Sequence, residues 1–518
     1  MAKSNRVPFT PGDLSNCQWG LDDILAGDLA TTVLIGDAGG SLFDFSRGGN
    51  DTFTENEPST YTFYGDAVGS MFNFTRGGDD TFTGSSFSIT TAYGDAGEDI
   101  SDHSKGGNDS FQGSSTQVIN TFFGDAGGNM IGHAQGGDDS FTAFPNSFND
   151  FYGDAGVDMS DHTKGGNDTF EGTSVAVNIF FGDAGNNMSG HAQGGDDSFT
   201  ARRDSSNAFY GDASGDMSEY SKGGNDTFNG ASDATNHFYG DAGRSMSGHA
   251  QGGDDHYTDF GGTIQTKTFF GDAGLHMSDF AKGGNDTFTS VGGFVISFYG
   301  DAAGIMSDNA RGGADVGVLQ GTHNFAYGDA GAMAGNAVGG NDTLSGGNKS
   351  SGPDVQSELY GDALAMSGSA AGGDDILTGG ESSESGQVSN FLCGDAIQMS
   401  GSATGGDDIL YAGSAATGCT VINDMWGDGQ LSEFAQGGQD LFIFEDDGPM
   451  TVGTQNTIHD FSQDQGDSIM FSGVEGVQSF NDLTIAQSGT STIITAGVDQ
   501  VTLENFTNVL TADDFLFA

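Results

Sequence analysis

Two aspartates recur at fixed positions along this chain, and carboxylates at such regular spacing could bind cations. One follows the glycine of a GDA tripeptide, which becomes GDG in its last occurrence, and the other closes a GGxD tetrapeptide. The first aspartate row comprises Asp37, Asp66, Asp95, Asp125, Asp154, Asp183, Asp212, Asp241, Asp272, Asp301, Asp329, Asp362, Asp395 and Asp428. The second aspartate row comprises Asp51, Asp80, Asp109, Asp139, Asp168, Asp197, Asp226, Asp255, Asp286, Asp315, Asp342, Asp375, Asp408 and Asp440.

The chemistry that suits these rows is binding of a hard cation. If the repeats stack as parallel coils, each row becomes a ladder of carboxylates that would repel one another unless neutralised. Ca²⁺ accepts about six to eight oxygens from carboxylates and backbone carbonyls. One Ca²⁺ between successive coils, about thirteen per row, would supply about +52 against the formal charge of −59. The alternative, that Asp merely favours turns, does not explain the same two positions in fourteen units.

The elements that must position these aspartates are short strands joined by glycine corners. The fourteen units repeat mostly every 29 residues, and the step lengthens to 33 after Gly328, within polar stretches. An apolar residue two before the GDA glycine, Met about six after it, and Phe or Leu after the GGxD turn form three rows that we expect to be buried. The sequence therefore predicts an all-β fold: a right-handed parallel β-roll or β-solenoid of about 14 coils with a small C-terminal β-domain.

The composition of the chain limits which binding partners and which cellular locations we expect. The chain has 73 acidic residues against 14 Lys and Arg, so nucleic acid and anionic membranes are poor partners. No apolar run is long enough to span a bilayer, which predicts no membrane insertion, and none near the N-terminus resembles a secretory signal. Three cysteines are too few for a disulfide framework. We therefore expect a cytosolic protein or one exported by a route that does not read the N-terminus.

The second half of the repeat resembles the glycine- and aspartate-rich nonapeptide of the RTX proteins, which form Ca²⁺-binding parallel β-rolls. The stretch GGNDSF, residues 106–111, places Asp109 at the ligand position and Phe111 at the buried one. The resemblance implies Ca²⁺ binding at the GGxD row. The GDA turn departs from the pattern, because Asp replaces the second glycine, and whether that corner also binds Ca²⁺ stays open.

The C-terminal region is also similar to that of RTX proteins. Its final TADDFLFA looks like the terminal signal of RTX proteins that are exported by type I secretion. The resemblance implies an extracellular or cell-surface location. The predicted domains are an N-terminal cap over residues 1–31, the repeats over 32–440, and a capping β-domain with the secretion signal over 441–518.

Two further rows carry rings. Nine residues after the GDA glycine in the first nine units, histidine shares its position with Phe and Tyr, which favours stacked rings on a strand face over a Zn²⁺ or Cu²⁺ site or a pH sensor. This ring row comprises Phe45, Phe74, His103, His133, His162, His191, Tyr220, His249 and Phe280. The residue just before the GDA glycine is usually Tyr or Phe. Such a row could be an exposed stripe for assembly or sugar binding, or neighbouring loops could cover it.

These features predict a non-enzymatic protein, because the motifs of zinc proteases, serine hydrolases and P-loop enzymes do not occur. The leading interpretation is a secreted, calcium-binding β-solenoid that acts as a structural or adhesive element of a bacterial surface, matrix or filament and folds on extracellular Ca²⁺. The alternative is a carbohydrate-binding or carbohydrate-acting protein that uses the exposed aromatic stripe. The expected partners are calcium ions, with self-assembly or a cell-surface polysaccharide as further possibilities.

Overall fold

The computed structural model describes residues 9–113, 119–262, 265–383, 386–445 and 454–518. The chain is almost all β, with about 1% helix, and forms a parallel β-solenoid as predicted. It divides into two compact units. The first contains the residues up to Asp259 together with Asp272–Gly274, and the second contains Phe260–Gly271 and the residues from Leu275 onward.

The strands form because each coil alternates inward and outward side chains. The strand Thr60–Tyr64 is typical: Tyr61 and Phe63 are buried, and the three alternate residues are partly or fully exposed. Its aromatic and β-branched residues favour extended backbone, and glycine corners bound it. Successive coils pair in parallel, so that Thr60 lies beside Ile89 and Tyr64 beside Tyr93. A register shift occurs between Ala302 and Ile305, where Ala302–Met306 pairs with Ala330–Met333. Equivalent positions of neighbouring repeats are therefore adjacent in space.

The first unit has two main rows of parallel strands. The strands that follow the GGxD turns are Ile24–Gly27, Thr52–Glu55, Thr81–Thr83, Ser110–Gln112, Ser140–Thr142, Thr169–Glu171, Ser198–Thr200, Thr227–Asn229 and His256–Phe260. The strands that precede the GDA turns are Val33–Ile35, Thr60–Tyr64, Ile89–Tyr93, Ile119–Phe123, Phe148–Tyr152, Val177–Phe181, Ser206–Tyr210 and Thr235–Tyr239, and the short strand Ser245–Met246 follows the last of these turns.

The second unit has three rows. The strands that follow the GGxD turns, or continue that row, are Thr287–Val291, Val316–Gln320, Thr343–Ser345, Ile376–Thr378, Ile409–Tyr411, Leu441–Glu445, Ser468–Ser472 and Phe515–Phe517. The strands that precede the GDA turns, or continue that row, are Thr266–Phe270, Val295–Tyr299, His323–Tyr327, Val355–Tyr360, Gln387–Cys393, Thr420–Trp426 and Thr454–Ile458. The methionine strands are His276–Met277, Ala302–Met306, Ala330–Met333, Ala363–Met366 and Ala396–Met399, followed by Gln430–Leu431.

The pairing extends beyond the fourteen predicted coils, to about 15 turns counted over both units. Residues 10–27, within the segment predicted as a cap, pair with residues 38–55 as one more coil. Leu441–Glu445 pairs in parallel with both Ile409–Tyr411 and Ser468–Ser472. An antiparallel region then follows, formed by Leu483–Ser488, Ser491–Ala496 and Asp499–Leu503. Two short 3₁₀ helices are Phe480–Asp482 and Ala512–Asp514. Residues 1–8 and 446–453 lie outside the described residues.

The core consists of the three predicted apolar rows. Phe63, Met71 and Phe82 are completely buried, and the same positions are buried in the other coils. Rings of successive coils stack, as Phe141 does on Phe170 with centroids 4.9 Å apart. A buried asparagine ladder, which the repeat pattern did not indicate, runs beside them. Its amides donate to the next coil, for example from Asn149 Nδ2 to Asn178 Oδ1 at 2.8 Å. Each polar amide is thereby satisfied inside an apolar core.

Candidate metal centre

All predicted aspartate ligands lie inside the solenoid, and none is more than 2% exposed. Within each unit the two rows follow the stacked glycine corners. Burying this many carboxylates is unfavourable unless each is hydrogen-bonded or neutralised. The contacts of the two rows therefore decide what the site can do.

The first row is fixed by the backbone of the GGxD turn. The N–H of Gly107 donates to Asp95 Oδ2 at 2.8 Å, twelve residues away in the same coil. The preceding glycine is required for space: a Cβ on Gly106 would overlap Asp125 Oδ1 and lie 2.7 Å from Asp95 Oδ2. Carboxylate oxygens of successive coils therefore converge on one glycine. The GG pair makes room for two carboxylates as well as forming a turn.

In the second row, one oxygen of each carboxylate is occupied by the backbone. The N–H of Asp109 donates to Asp139 Oδ1 at 2.5 Å, and the N–H of Asp139 donates to Asp168 Oδ1 at 2.6 Å. The same contact recurs in the second unit, from Asp315 to Asp342 Oδ1 at 2.7 Å. This contact ties each coil to the next and explains a buried aspartate in each turn, but it uses only Oδ1.

In twelve second-row carboxylates the other oxygen, Oδ2, is buried and has no hydrogen-bond partner among the described residues. It approaches a backbone carbonyl: a Cβ on Gly124 would overlap both Asp139 Oδ2 and the carbonyl oxygen of Gly153. Such a pair of acceptors repels unless a cation or a proton lies between them. The carboxylates with this unpartnered Oδ2 are Asp51, Asp80, Asp109, Asp139, Asp168, Asp197, Asp226, Asp315, Asp342, Asp375, Asp408 and Asp440.

The two rows act on each other electrostatically. Burial, and then the charges of Asp66 and Asp109, raises the pKa of Asp80 well above its usual range. At the start of the rows, burial and the charge of Asp66 raise the pKa of Asp37 to about 9. Burial and the charge of Asp37 raise the pKa of Asp51 to about 8. Ionised carboxylates are therefore costly here, and a bound cation or a proton would relieve that cost.

The donor set fits a hard divalent cation. The groups that converge are carboxylate and carbonyl oxygens, the ligands that Ca²⁺ prefers, without the thiolate and imidazole groups that favour zinc. Within the described ranges, no group of three or more His, Cys, Asp or Glu side chains is close enough to form a cage by itself. Backbone carbonyls such as that of Gly153 would thus have to complete the coordination.

Three more aspartates continue the rows although their flanking sequences differ from the repeat. The N–H of Asp23 donates to Asp51 Oδ1 at 2.6 Å, and the N–H of Asp440 donates to Asp467 Oδ1 at 3.2 Å. Asp460 accepts three backbone N–H groups, those of Gly427, Asp428 and Gly429, at 2.8–3.1 Å. The signal available in the sequence was the partial motifs GLDD at residues 20–23 and QGD at 465–467.

The ring row is stacked, as predicted. His103 and His133 have centroids 4.6 Å apart and planes 2° apart, and His162 and His191 are 4.8 Å and 3° apart. These side chains are exposed and lie in turns rather than on a strand face. Because each ring covers the faces of its neighbours, mainly ring edges meet the solvent.

The row of Tyr and Phe before the GDA glycine is half-buried rather than freely exposed. Tyr64 stacks on Tyr93 with centroids 5.0 Å apart, and Tyr360 at the equivalent position in the second unit is buried. The glycine after GDA in a following coil lies against the ring, since a Cβ on Gly97 would come within 2.6 Å of Tyr64 Cε1. The neighbouring turn therefore partly covers this row.

Comparison with known protein families and with curated proteins finds no match for this chain. Among the described residues, no helix has the length and apolarity needed to cross a bilayer.

Proposed function

We propose that this chain is a secreted, calcium-binding β-solenoid of the RTX kind that serves as a structural or adhesive element outside the cell. The observation that carries the proposal is the series of buried second-row carboxylates from Asp51 to Asp226 and from Asp315 to Asp408, each with one oxygen that has no partner among the described residues and lies beside a backbone carbonyl. Such a series needs a cation or a proton at each step. Extracellular Ca²⁺ is present at millimolar concentration, which suits the weak sites of extracellular modules.

The residues that would hold Ca²⁺ are the second-row aspartates, with carbonyl oxygens from the GDA glycines of the adjacent coil. Asp139 and Gly153 are one such pair. The bound ion would supply positive charge and cross-link neighbouring coils. The chain's own contribution is the arrangement: the N–H of each second-row aspartate holds the carboxylate of the next coil, and the glycines leave the space beside it open.

This arrangement supports a folding switch at export. With 73 acidic side chains, the unneutralised chain repels itself strongly, which favours an extended state that can be exported. Because a site of this kind does not exist in the unfolded chain, the free energy of Ca²⁺ binding would contribute directly to folding. Folding would then occur outside the cell, where Ca²⁺ is abundant.

A structural or adhesive role follows from the proportions of the chain. The coils occupy most of the described residues, and a long regular array suits a structural or adhesive role, so we propose a non-enzymatic function. The test is analytical ultracentrifugation and negative-stain electron microscopy in Ca²⁺ and in EDTA, together with binding to intact cells and cell-wall polysaccharide. We expect Ca²⁺-dependent assembly or attachment. A Ca²⁺-loaded monomer that neither assembles nor attaches, or turnover of a polysaccharide that one carboxylate substitution abolishes, would contradict the proposal.

A further inference from the structure

The second unit contains an open cleft of about 410 Å³ whose described lining carries no charged residue. Its walls are the ends of the strands Thr287–Val291 and Val316–Gln320 and the polar insertion that follows Thr343–Ser345. The volume lies within the range of small-ligand sites, about 300–1,000 Å³. The formal charge of the chain is −59, yet no charged side chain lines this cleft. It argues against both a cation and a charged polymer as the ligand.

The cleft offers hydrogen-bonding groups that the protein itself does not use. The side-chain hydroxyls of Thr322, Ser350 and Ser351 line it and make no hydrogen bond with any described residue. Gly293 and Gly352 adopt positive φ angles, 154° and 82°, which side chains rarely allow, so bare backbone forms part of the wall. The lining therefore presents hydroxyls, side-chain amides and peptide groups beside the apolar side chains of two valines and one proline.

The insertion that forms one wall is held in place internally. The buried ammonium of Lys349 donates to the carbonyl oxygens of Gly352 and Pro353 at 2.6 and 2.7 Å. The opposite wall is fixed by Gln320, whose Nε2 donates to the carbonyl oxygen of Gly346 at 3.1 Å and whose Oε1 accepts the N–H of Asn348 at 3.0 Å. A cleft with fixed walls loses little conformational entropy when a ligand binds.

An exposed aromatic residue follows the cleft lining in the chain. Phe294 directly follows the lining residue Gly293 and is 48% exposed. It meets His323 edge-on, with centroids 5.2 Å apart and planes at 76°. The rings of the two repeated aromatic rows, by contrast, cover one another's faces. In its contact with His323, Phe294 therefore has no ring stacked parallel to its face. The apolar face of a sugar packs well against a ring of this kind.

From these observations we propose that the cleft binds a neutral saccharide, a short stretch of an uncharged glycan. Unused hydroxyls, bare peptide groups and an adjacent exposed ring suit a polyhydroxylated ligand without charge. This inference rests on the adhesive function proposed above and names the chemistry of its partner. It places the contact at this cleft, not on the half-buried row that contains Tyr64.

The test is isothermal titration calorimetry of the full chain in Ca²⁺. The probes are neutral oligosaccharides of glucose, galactose, mannose and N-acetylglucosamine, with uronic-acid oligomers as charged comparators. Ser351→Trp fills the cleft, and Phe294→Ala removes the ring. Thr417→Trp and Phe434→Ala are matched controls at exposed positions elsewhere in the second unit.

We expect a neutral probe to bind, with affinity reduced about tenfold or more by each cleft variant and unchanged by each control. Absence of binding by every neutral probe, equal binding of uronic-acid oligomers, or equal losses in the controls would overturn the inference. Circular dichroism and a calcium count on the same samples keep this outcome separate from failure of the proposed calcium-dependent fold.

Discussion

Replacing one buried second-row aspartate by asparagine should have opposite effects on stability with and without Ca²⁺. In Asp139→Asn, the retained Oδ1 can still accept the N–H of Asp109, which now lies 2.5 Å away. The new amide nitrogen would replace Oδ2, the atom that approaches the carbonyl oxygen of Gly153. The variant removes a charge and adds a donor where two acceptors now converge.

The size of the effect follows from the cost of an ionised carboxylate in this row. The pKa of Asp51 is raised from 3.8 to about 8 by burial and the charge of Asp37. At about 1.4 kcal/mol per pKa unit, this corresponds to roughly 6 kcal/mol as an upper figure. Burial and the charges of Asp125 and Asp109 also raise the pKa of Asp139 well above its usual range. We therefore expect Asp139→Asn to stabilise the chelated protein at pH 8 by a few kcal/mol.

In Ca²⁺ the same change removes a charged ligand, so we expect a lower free energy of unfolding and a lower calcium count. The control is Asp138→Asn, one residue away, whose exposed carboxylate accepts the N–H of Asn167 at 3.0 Å. It should change stability by no more than about 0.5 kcal/mol in either condition. Urea titrations in Ca²⁺ measure both variants. Because the chelated chain is expected to be unfolded at this pH, its stability in EDTA is measured by titrating in a stabilising osmolyte, TMAO, and following folding by circular dichroism. Equal destabilisation by Asp139→Asn in the two conditions would contradict the role of Asp139 as a cation ligand, because it would mean that its carboxylate only accepts a backbone hydrogen bond.

Three other perturbations test the same account. In EDTA the folded protein should be most stable near pH 4 and should lose stability and then unfold as the pH rises towards 8, because the folded-state pKa values of Asp51 and Asp66, about 8 and 7, lie above the unfolded value of 3.8. Urea titrations from pH 4 up to the pH at which the chain unfolds measure this loss, and stability that rises over that range would contradict it. Gly106→Ala should destabilise the folded chain strongly, since its Cβ would overlap Asp125 Oδ1. Gly12→Ala should be nearly neutral, because no atom lies within 4 Å of its Cβ. Equal melting temperatures of the two variants would count against this packing of Gly106. Phe170→Ala should cost about 3–5 kcal/mol in Ca²⁺ through the cavity left in its stacked row, and a loss below about 1 kcal/mol in urea denaturation would disprove tight packing there.

The regular part of the fold could be predicted because every coil repeats the same constraints. The buried positions of Phe63, Met71 and Asp80 follow from the spacing of apolar residues and glycine corners. Contacts between coils were harder to predict. The cover over Tyr64 comes from Gly97, which is distant in sequence and adjacent only after stacking.

Where the repeat degenerates, the sequence carried less information. Asp23 and Asp467 continue the second row, but their flanks lack the paired glycines that mark the other turns. The asparagine ladder, with Asn149 and Asn178, lies beyond the loop of variable sequence in each coil, where no motif indicates it. The uncharged cleft depends on an insertion that departs from the repeat, so its position required the folded chain.

The most direct test of the central claim is a calcium count made together with a measurement of folding. Ca²⁺ would be titrated into EDTA-treated, dialysed protein at pH 7.5, with far-UV circular dichroism and sedimentation followed throughout and bound calcium measured by atomic emission. We expect a transition from coil to compact β structure with on the order of 13 to 26 bound ions, the higher figure if the GDA corner also binds. A chain that is already compact and β-rich in EDTA at this pH, and that binds only a few ions, would contradict it.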